Sequence, residues 1–302
     1  MRLVAGDTFF KIRDRAIDLG LTLTGPLSWR SAAFGVHLPE YLIDDYLAIK
    51  DLSVWRGPIP DGAYGLLKDG TRVCTPKFTF LLLARLLSVE ELALFGLELC
   101  GTYVIDKDDP RGFVSDTKPE TTLKELTEFL EGCPHAPGIR VAKQALRYVA
   151  DNSASPMESI LVLMLCLPRR LGGFDVPIPE LNLWASEILG HAVKDDRKID
   201  LVWRKLKFAF EFDSVLDHTG RDRIVGDAIR RMICDEVGIR VFTVTIGQLE
   251  DTNETARVAR TAYRYLGMRF RTVDRELRRK NAALFNRLLK LTQVEDADLH
   301  VN

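Results

Sequence analysis

Three carboxylates within one short segment are the residues of this chain best suited to chemistry. They are Asp200, Glu211 and Asp213, in RKIDLVWRKLKFAFEFD at 197–213. Side chains alternate along an extended strand. Lys207, Ala209, Glu211 and Asp213 are therefore expected on one face, and Phe208, Phe210 and Phe212 on the other. The phenylalanines supply a buried side, which leaves Glu211 and Asp213 together at the strand's end. Asp200, on a preceding strand joined by a tight polar turn at Arg204 and Lys205, can approach the same end. Carboxylates this close repel one another unless a cation neutralises them, and hard oxygen ligands suit Mg²⁺ or Mn²⁺. Such an ion lowers the pKa of bound water and stabilises charge on a scissile phosphate, which is the chemistry of phosphodiester hydrolysis. On spacing alone the plainer alternative stays open: acids ending a strand are often only solvated.

The elements that must position these residues follow from local signals. Strands are expected at 199–203, 207–213 and 239–245, with an extended stretch at 182–188. Helices are expected at 156–170, 221–237, where Gly238 is the stop signal, and 253–266. Helix, hairpin, helix, strand, helix gives an α/β domain with a mixed sheet flanked by helices. The first half reads as mostly α-helical, cut by a Pro/Gly loop at 56–70 and a short extended piece at 71–74. Thr75 before Pro76 is a helix start with an N-cap hydroxyl. Ser88 with Glu91, and Thr122 with Glu125, are capping boxes. A further helix follows Gly138, with Val141, Ala142, Ala145, Leu146 and Val149 on one face. Nothing in 1–150 reads as catalytic, and Asp106, Asp108 and Asp109 are expected in a solvated loop. The polar stretch 151–156 is the natural boundary. The expected division is 1–150, 153–267 and a basic helical extension at 268–302.

Length and composition bound the function. The 302 residues are 46% hydrophobic and 28% charged, as in a soluble globular protein with room for two cores. The formal net charge of -1 hides a basic stretch at 255–290, where 11 Lys/Arg face 2 Asp/Glu. Such a stretch faces polyanions or is a solvated helix face. The five cysteines fall in no CxxC or Cys/His ligand spacing, which argues against a zinc site and a disulfide framework and for a reducing compartment. Asp7, Lys11, Arg13 and Asp14 interrupt any apolar leader, and no run is long enough to span a bilayer. A cytoplasmic protein with no membrane partner is expected.

From Ser155 onward the chain resembles the very-short-patch-repair (Vsr-like) branch of the PD-(D/E)XK, restriction-endonuclease-like domains. The matching features are Ser155–Pro156–Met157–Glu158, Pro179, Asn182, Arg197 and Asp200, then Glu211–Phe212–Asp213–Ser214 and His218. They continue through Arg223, Asp227, Arg230 and Arg231 to Gly238–Ile239–Arg240–Val241 and Thr243. The resemblance implies a Mg²⁺- or Mn²⁺-dependent endonuclease acting on DNA, with Asp200, Glu211 and Asp213 as metal ligands. Glu158 completes the site in that reading, although Ser155–Glu158 is also a capping box in its own right. His218 is the candidate acid or phosphate contact, or simply a loop histidine. Arg223, Arg230 and Arg231 form a phosphate-facing row, or Asp227 and Arg231 form a plain i,i+4 pair. The PD-(D/E)XK pattern ends in a lysine where Asp213 stands, and Lys198 and Lys207 are the candidate substitutes.

Residues 69–150 are similar to the region that accompanies this domain in AbiEi-like proteins of toxin–antitoxin and abortive-infection systems. That similarity implies a cognate toxin or defence-system partner for the first half. Two other readings stand beside the endonuclease. One is a nuclease fold without hydrolysis, serving as a DNA-binding regulator or antitoxin. The other is a protein-interaction subunit of a defence system.

Overall fold

The computed structural model describes residues 2–4, 52–54, 59–66, 72–106, 109–191, 196–213 and 238–292. The chain forms two compact units, Met1–Leu99 with Glu120–Arg147, and Cys100–Pro119 with Tyr148–Asn302.

In the first unit two short antiparallel pairs, β1 (Arg2–Val4) with β2 (Leu52–Val54) and β3 (Tyr64–Leu66) with β4 (Arg72–Cys74), accompany four helices. These are α1 (Pro76–Leu83), α2 (Val89–Leu99), α3 (Leu123–Glu131) and α4 (Ile139–Leu146). Pro76 opens α1 as expected, but the Thr75 hydroxyl does not cap it. Thr75 Oγ1 instead donates to the Gly62 carbonyl at 2.8 Å, tying the helix to the preceding loop. The capping boxes form where the sequence places them. Ser88 N–H donates to Glu91 Oε2 at 2.8 Å, and Thr122 Oγ1 accepts from Glu125 N–H at 3.2 Å. Ala142 and Ala145 bury the inner face of α4.

The second unit takes in a segment that the sequence assigns elsewhere. Residues 100–119 carry an antiparallel pair, β5 (Val104–Ile105) with β6 (Phe113–Val114). Thr102 N–H donates to the Ser153 carbonyl at 2.7 Å, and Asn152 N–H donates to the Cys100 carbonyl at 2.9 Å. The stretch expected as a polar junction is therefore tied into this unit: Asn152 stays exposed, but Ser153 is fully buried. Its Oγ lies 2.8 Å from Ser159 Oγ, which lies 2.9 Å from Tyr103 Oη. These hydroxyls satisfy one another inside the unit instead of facing water.

Helix α5 (Pro156–Cys166) is apolar nearly all round and buried at every position, as a central helix must be. It stops at Cys166, short of the expected 170, because Leu167 turns extended ahead of Pro168. A mixed four-stranded sheet follows, built from β7 (Glu180–Trp184), β8 (Lys198–Trp203), β9 (Phe208–Asp213) and β10 (Arg240–Thr245), with the short helix α6 (Ala185–Leu189) between β7 and β8. The strand order is β10-β9-β8-β7, with β10 parallel to β9 and the other pairs antiparallel. The extended stretch expected at 182–188 thus becomes strand and then helix at Ala185. The helix expected at 221–237, within the β9–β10 connection, lies outside the described residues.

The turn from β8 to β9 is a 3₁₀ turn, Arg204–Leu206, closed by Lys207 at φ +52°. Lys207 is therefore exposed in the turn and not on the strand face expected for it. The central strands β8 and β9 are largely buried on both faces. Trp203 stacks on Phe208 at 4.7 Å and donates Nε1–H to the Pro177 carbonyl at 2.8 Å, which makes it a packing residue. The short helix α7 (Ile246–Glu250) leads into α8 (Thr252–Tyr265), whose last residue, Tyr265, stacks on Phe208 at 5.0 Å. The expected C-terminal extension is integral to the unit, since α9 (Arg275–Thr292) packs against α5 through a face including Leu277, Leu284, Phe285 and Leu288. Close approach there requires Gly172 at φ +100°, where an added Cβ would stand 2.6 Å from the Lys280 carbonyl oxygen. Arg257, Arg260 and Arg264 line the exposed side of α8, opposite buried Ala259 and Ala262.

Candidate functional site

Register explains why polar groups collect in the middle of this apolar sheet. The β7–β8 pairs Leu181↔Leu201 and Leu183↔Ile199 bracket Asn182 and Asp200. The β8–β9 ladder ends at Leu201↔Phe210, one step before Asp200 would meet Glu211. On the far side Glu211 pairs with Thr243. Asn182, Asp200, Glu211 and Thr243 thus form one polar row across four strands. The regular ladder is interrupted along that row. Asn182 adopts φ +50°, a left-handed conformation that asparagine tolerates better than most residues. Where the β8–β9 ladder stops, Asp200 Oδ2 accepts the Phe212 N–H at 2.8 Å in place of a main-chain carbonyl.

Beside the row is a cavity of about 240 Å³, whose walls include Glu158, Lys198, Asp200 and Glu211. Helix α5 contributes Glu158 from its first turn, where Ser155 Oγ accepts the Glu158 N–H at 3.2 Å. The Glu158 carboxylate is buried and fully engaged. Oε2 accepts from Asn182 Nδ2 at 2.6 Å and Ala154 N–H at 3.0 Å, and Oε1 accepts from the Ser155 hydroxyl at 3.0 Å. Burial pushes this carboxyl above the usual carboxylate range, and the three hydrogen bonds and the Lys198 charge only partly counter it. Lys198 also lies over the Trp184 ring, 5.2 Å from its centroid. Glu211 is 5% exposed.

Of the predicted ligands, the structure brings Asp200 and Glu211 to one cavity and adds Glu158 to them. Asp213, half-buried at the end of β9, is not among the lining residues. Of the two lysines proposed from sequence, Lys198 lines the cavity and Lys207 does not. His218, Arg223, Arg230 and Arg231 lie outside the described residues. Sequence reasoning missed Arg111 and Phe113, which also line the cavity. No local signal marks them, because long-range hydrogen bonds carry 100–119 into this unit.

Among the described residues no three His, Cys, Asp or Glu side chains close into one metal-binding group. The donor set still suits Mg²⁺, which is held by one or two carboxylates with water and substrate oxygens completing its shell. Asp200 and Glu211 are two carboxylates lining the cavity that could serve in that way, and the Glu158 oxygens hold three hydrogen bonds. Cys74, Cys100, Cys133 and Cys166 are buried and unbridged, and no described helix is long and apolar enough to cross a membrane. No family model, curated protein or solved structure matches the chain.

Proposed function

We propose that the second unit is a restriction-endonuclease-like domain of the Vsr-related, PD-(D/E)XK kind, hydrolysing phosphodiester bonds in DNA with Mg²⁺ or Mn²⁺. The observation that carries this reading is the cavity in which Asp200 and Glu211 stand with Lys198. Asp200 and Glu211 would hold the metal, and Asp200 is oriented for that by the Phe212 N–H. When bound there, such an ion would supply a more acidic water and would offset the charge that develops on phosphate. Lys198 takes the role of the lysine missing after Glu211, as a fixed positive charge facing the phosphate. Glu158, held by Asn182, Ala154 and Ser155, orders the cavity wall. Asp213 belongs to the site by resemblance, as do His218 as acid or phosphate contact and Arg223, Arg230 and Arg231 as backbone contacts. The likeness of 69–150 to AbiEi-like proteins supports a setting in phage defence or a toxin–antitoxin system, with a cognate partner on the first unit.

The second reading is a DNA-binding regulator or antitoxin with the same fold and no hydrolysis. The full engagement of Glu158, together with Asp213 at the lysine's place, favours it. Supercoiled plasmid incubated with Mg²⁺, Mn²⁺ or EDTA separates the two. Metal-dependent nicking supports the enzyme, and salt-sensitive binding without nicking supports the regulator.

A further inference from the structure

The wall of the cavity contributed by 100–119 carries one arginine, and its setting points to a ligand. Arg111 sits in the turn between β5 and β6, which the Gly112 N–H closes on the Asp109 carbonyl at 2.8 Å. Its own N–H donates to Asp109 Oδ1 at 2.8 Å, and its Nε approaches the same oxygen at 3.4 Å. The guanidinium carbon lies 5.3 Å from the Phe113 ring centroid. Asp109 on one edge and Phe113 beside the plane fix the group's orientation, a preorganisation that lysine cannot reproduce. The side chain remains 47% exposed, and its two terminal amino groups make no hydrogen bond among the described residues. That free edge is a pair of parallel donors matched to two oxygens of one phosphate. It shares the cavity with Lys198, Asp200 and Glu211.

We infer that Arg111 is a backbone-phosphate subsite: it grips a phosphodiester of the nucleic-acid strand whose neighbouring phosphate lies at Asp200 and Glu211. The inference rests on the nuclease-fold reading of the cavity and extends it to a segment of the chain in which sequence places no chemistry. The contact is with the sugar–phosphate chain, so it contributes affinity and register without reading base sequence. Phe113 serves the subsite by holding the guanidinium, not by stacking on a base, because its ring already meets Tyr103 edge-on at 6.4 Å.

The test is fluorescence anisotropy of a labelled DNA duplex on the full chain in Ca²⁺, over a range of salt, for wild type, Arg111→Lys and Arg111→Ala. Arg111→Ala is expected to weaken binding about tenfold on every duplex and to lower the salt slope by about one. Arg111→Lys should keep the slope, recover only part of the affinity, and show through its binding that the fold is intact. Unchanged affinity and slope in Arg111→Ala would overturn the subsite, as would a wild type that does not bind DNA. Plasmid nicking by the same proteins in Mg²⁺ is scored separately. Binding that depends on Arg111 without nicking leaves the subsite standing and removes only the hydrolytic reading.

Discussion

Asn182 Nδ2 donates to Glu158 Oε2 at 2.6 Å, joining the left-handed residue of β7 to the first turn of α5. The contact accounts for two otherwise separate oddities, a positive φ inside a strand and a buried glutamate at a helix start. The amide of Asn182 adds a third hydrogen bond to a buried carboxylate that Ala154 N–H and the Ser155 hydroxyl also serve, which offsets the cost of its burial.

One consequence is a pH dependence of stability. Burial raises the Glu158 pKa in the folded state above its unfolded value. The folded protein then binds more protons than the unfolded one between those two values, so stability falls as pH rises through that window. Glu158→Gln removes the titration. Its melting temperature should change less than that of wild type from acid to neutral pH, and its relative stability should be greatest on the neutral side. Parallel thermal melts at several pH values check this, and identical profiles for the two proteins would contradict it.

The two lysines proposed from sequence should separate cleanly. Lys198→Ala removes the lysine charge beside Asp200 and Glu211, leaving Arg111 as the other cation lining the cavity, and is expected to lower cleavage roughly a hundredfold, the scale for losing one preorganised electrostatic group. Lys207→Ala, in the exposed turn, should cleave like wild type. Single-turnover cleavage of one labelled duplex compares the two, and a larger loss from Lys207→Ala would refute the placement of the charge.

Gly172→Ala should destabilise the second unit by about 1–3 kcal/mol, from a left-handed backbone and a Cβ pressed on the α9 main chain. Urea denaturation followed by tryptophan fluorescence gives the value, since Trp203 is in that core. A change within about 0.5 kcal/mol, the range of ordinary surface substitutions, would argue against this packing.

Local signals in the sequence were sufficient for some parts and not for others. The Ser/Thr-x-x-Glu starts at Ser88 and Thr122 encode caps whose hydrogen bonds close within three residues, and the alternation over 208–213 encodes a strand whose hairpin partner directly precedes it in the chain. They appear where expected, with ends shifted by a residue or so. Asp200 and Glu211 were also within reach, because a hairpin brings its two arms together whatever surrounds it. The entry of 100–119 into the second unit was not, since it depends on Thr102 meeting Ser153 and Tyr103 meeting Ser159 across about fifty residues. Lys207 leaves the expected strand face because the turn takes it into the left-handed region, where strand alternation no longer applies. The conformation and partner of Asn182 come from packing that the local pattern does not carry.

The most direct test of the central claim is cleavage of supercoiled plasmid by the full chain in Mg²⁺, Mn²⁺ and EDTA, beside Asp200→Ala and Glu211→Ala. The account predicts metal-dependent conversion to nicked circles by wild type, and its loss in both variants while each keeps a cooperative melt. Undiminished cleavage by folded Glu211→Ala, or wild-type cleavage that persists in EDTA, would contradict it.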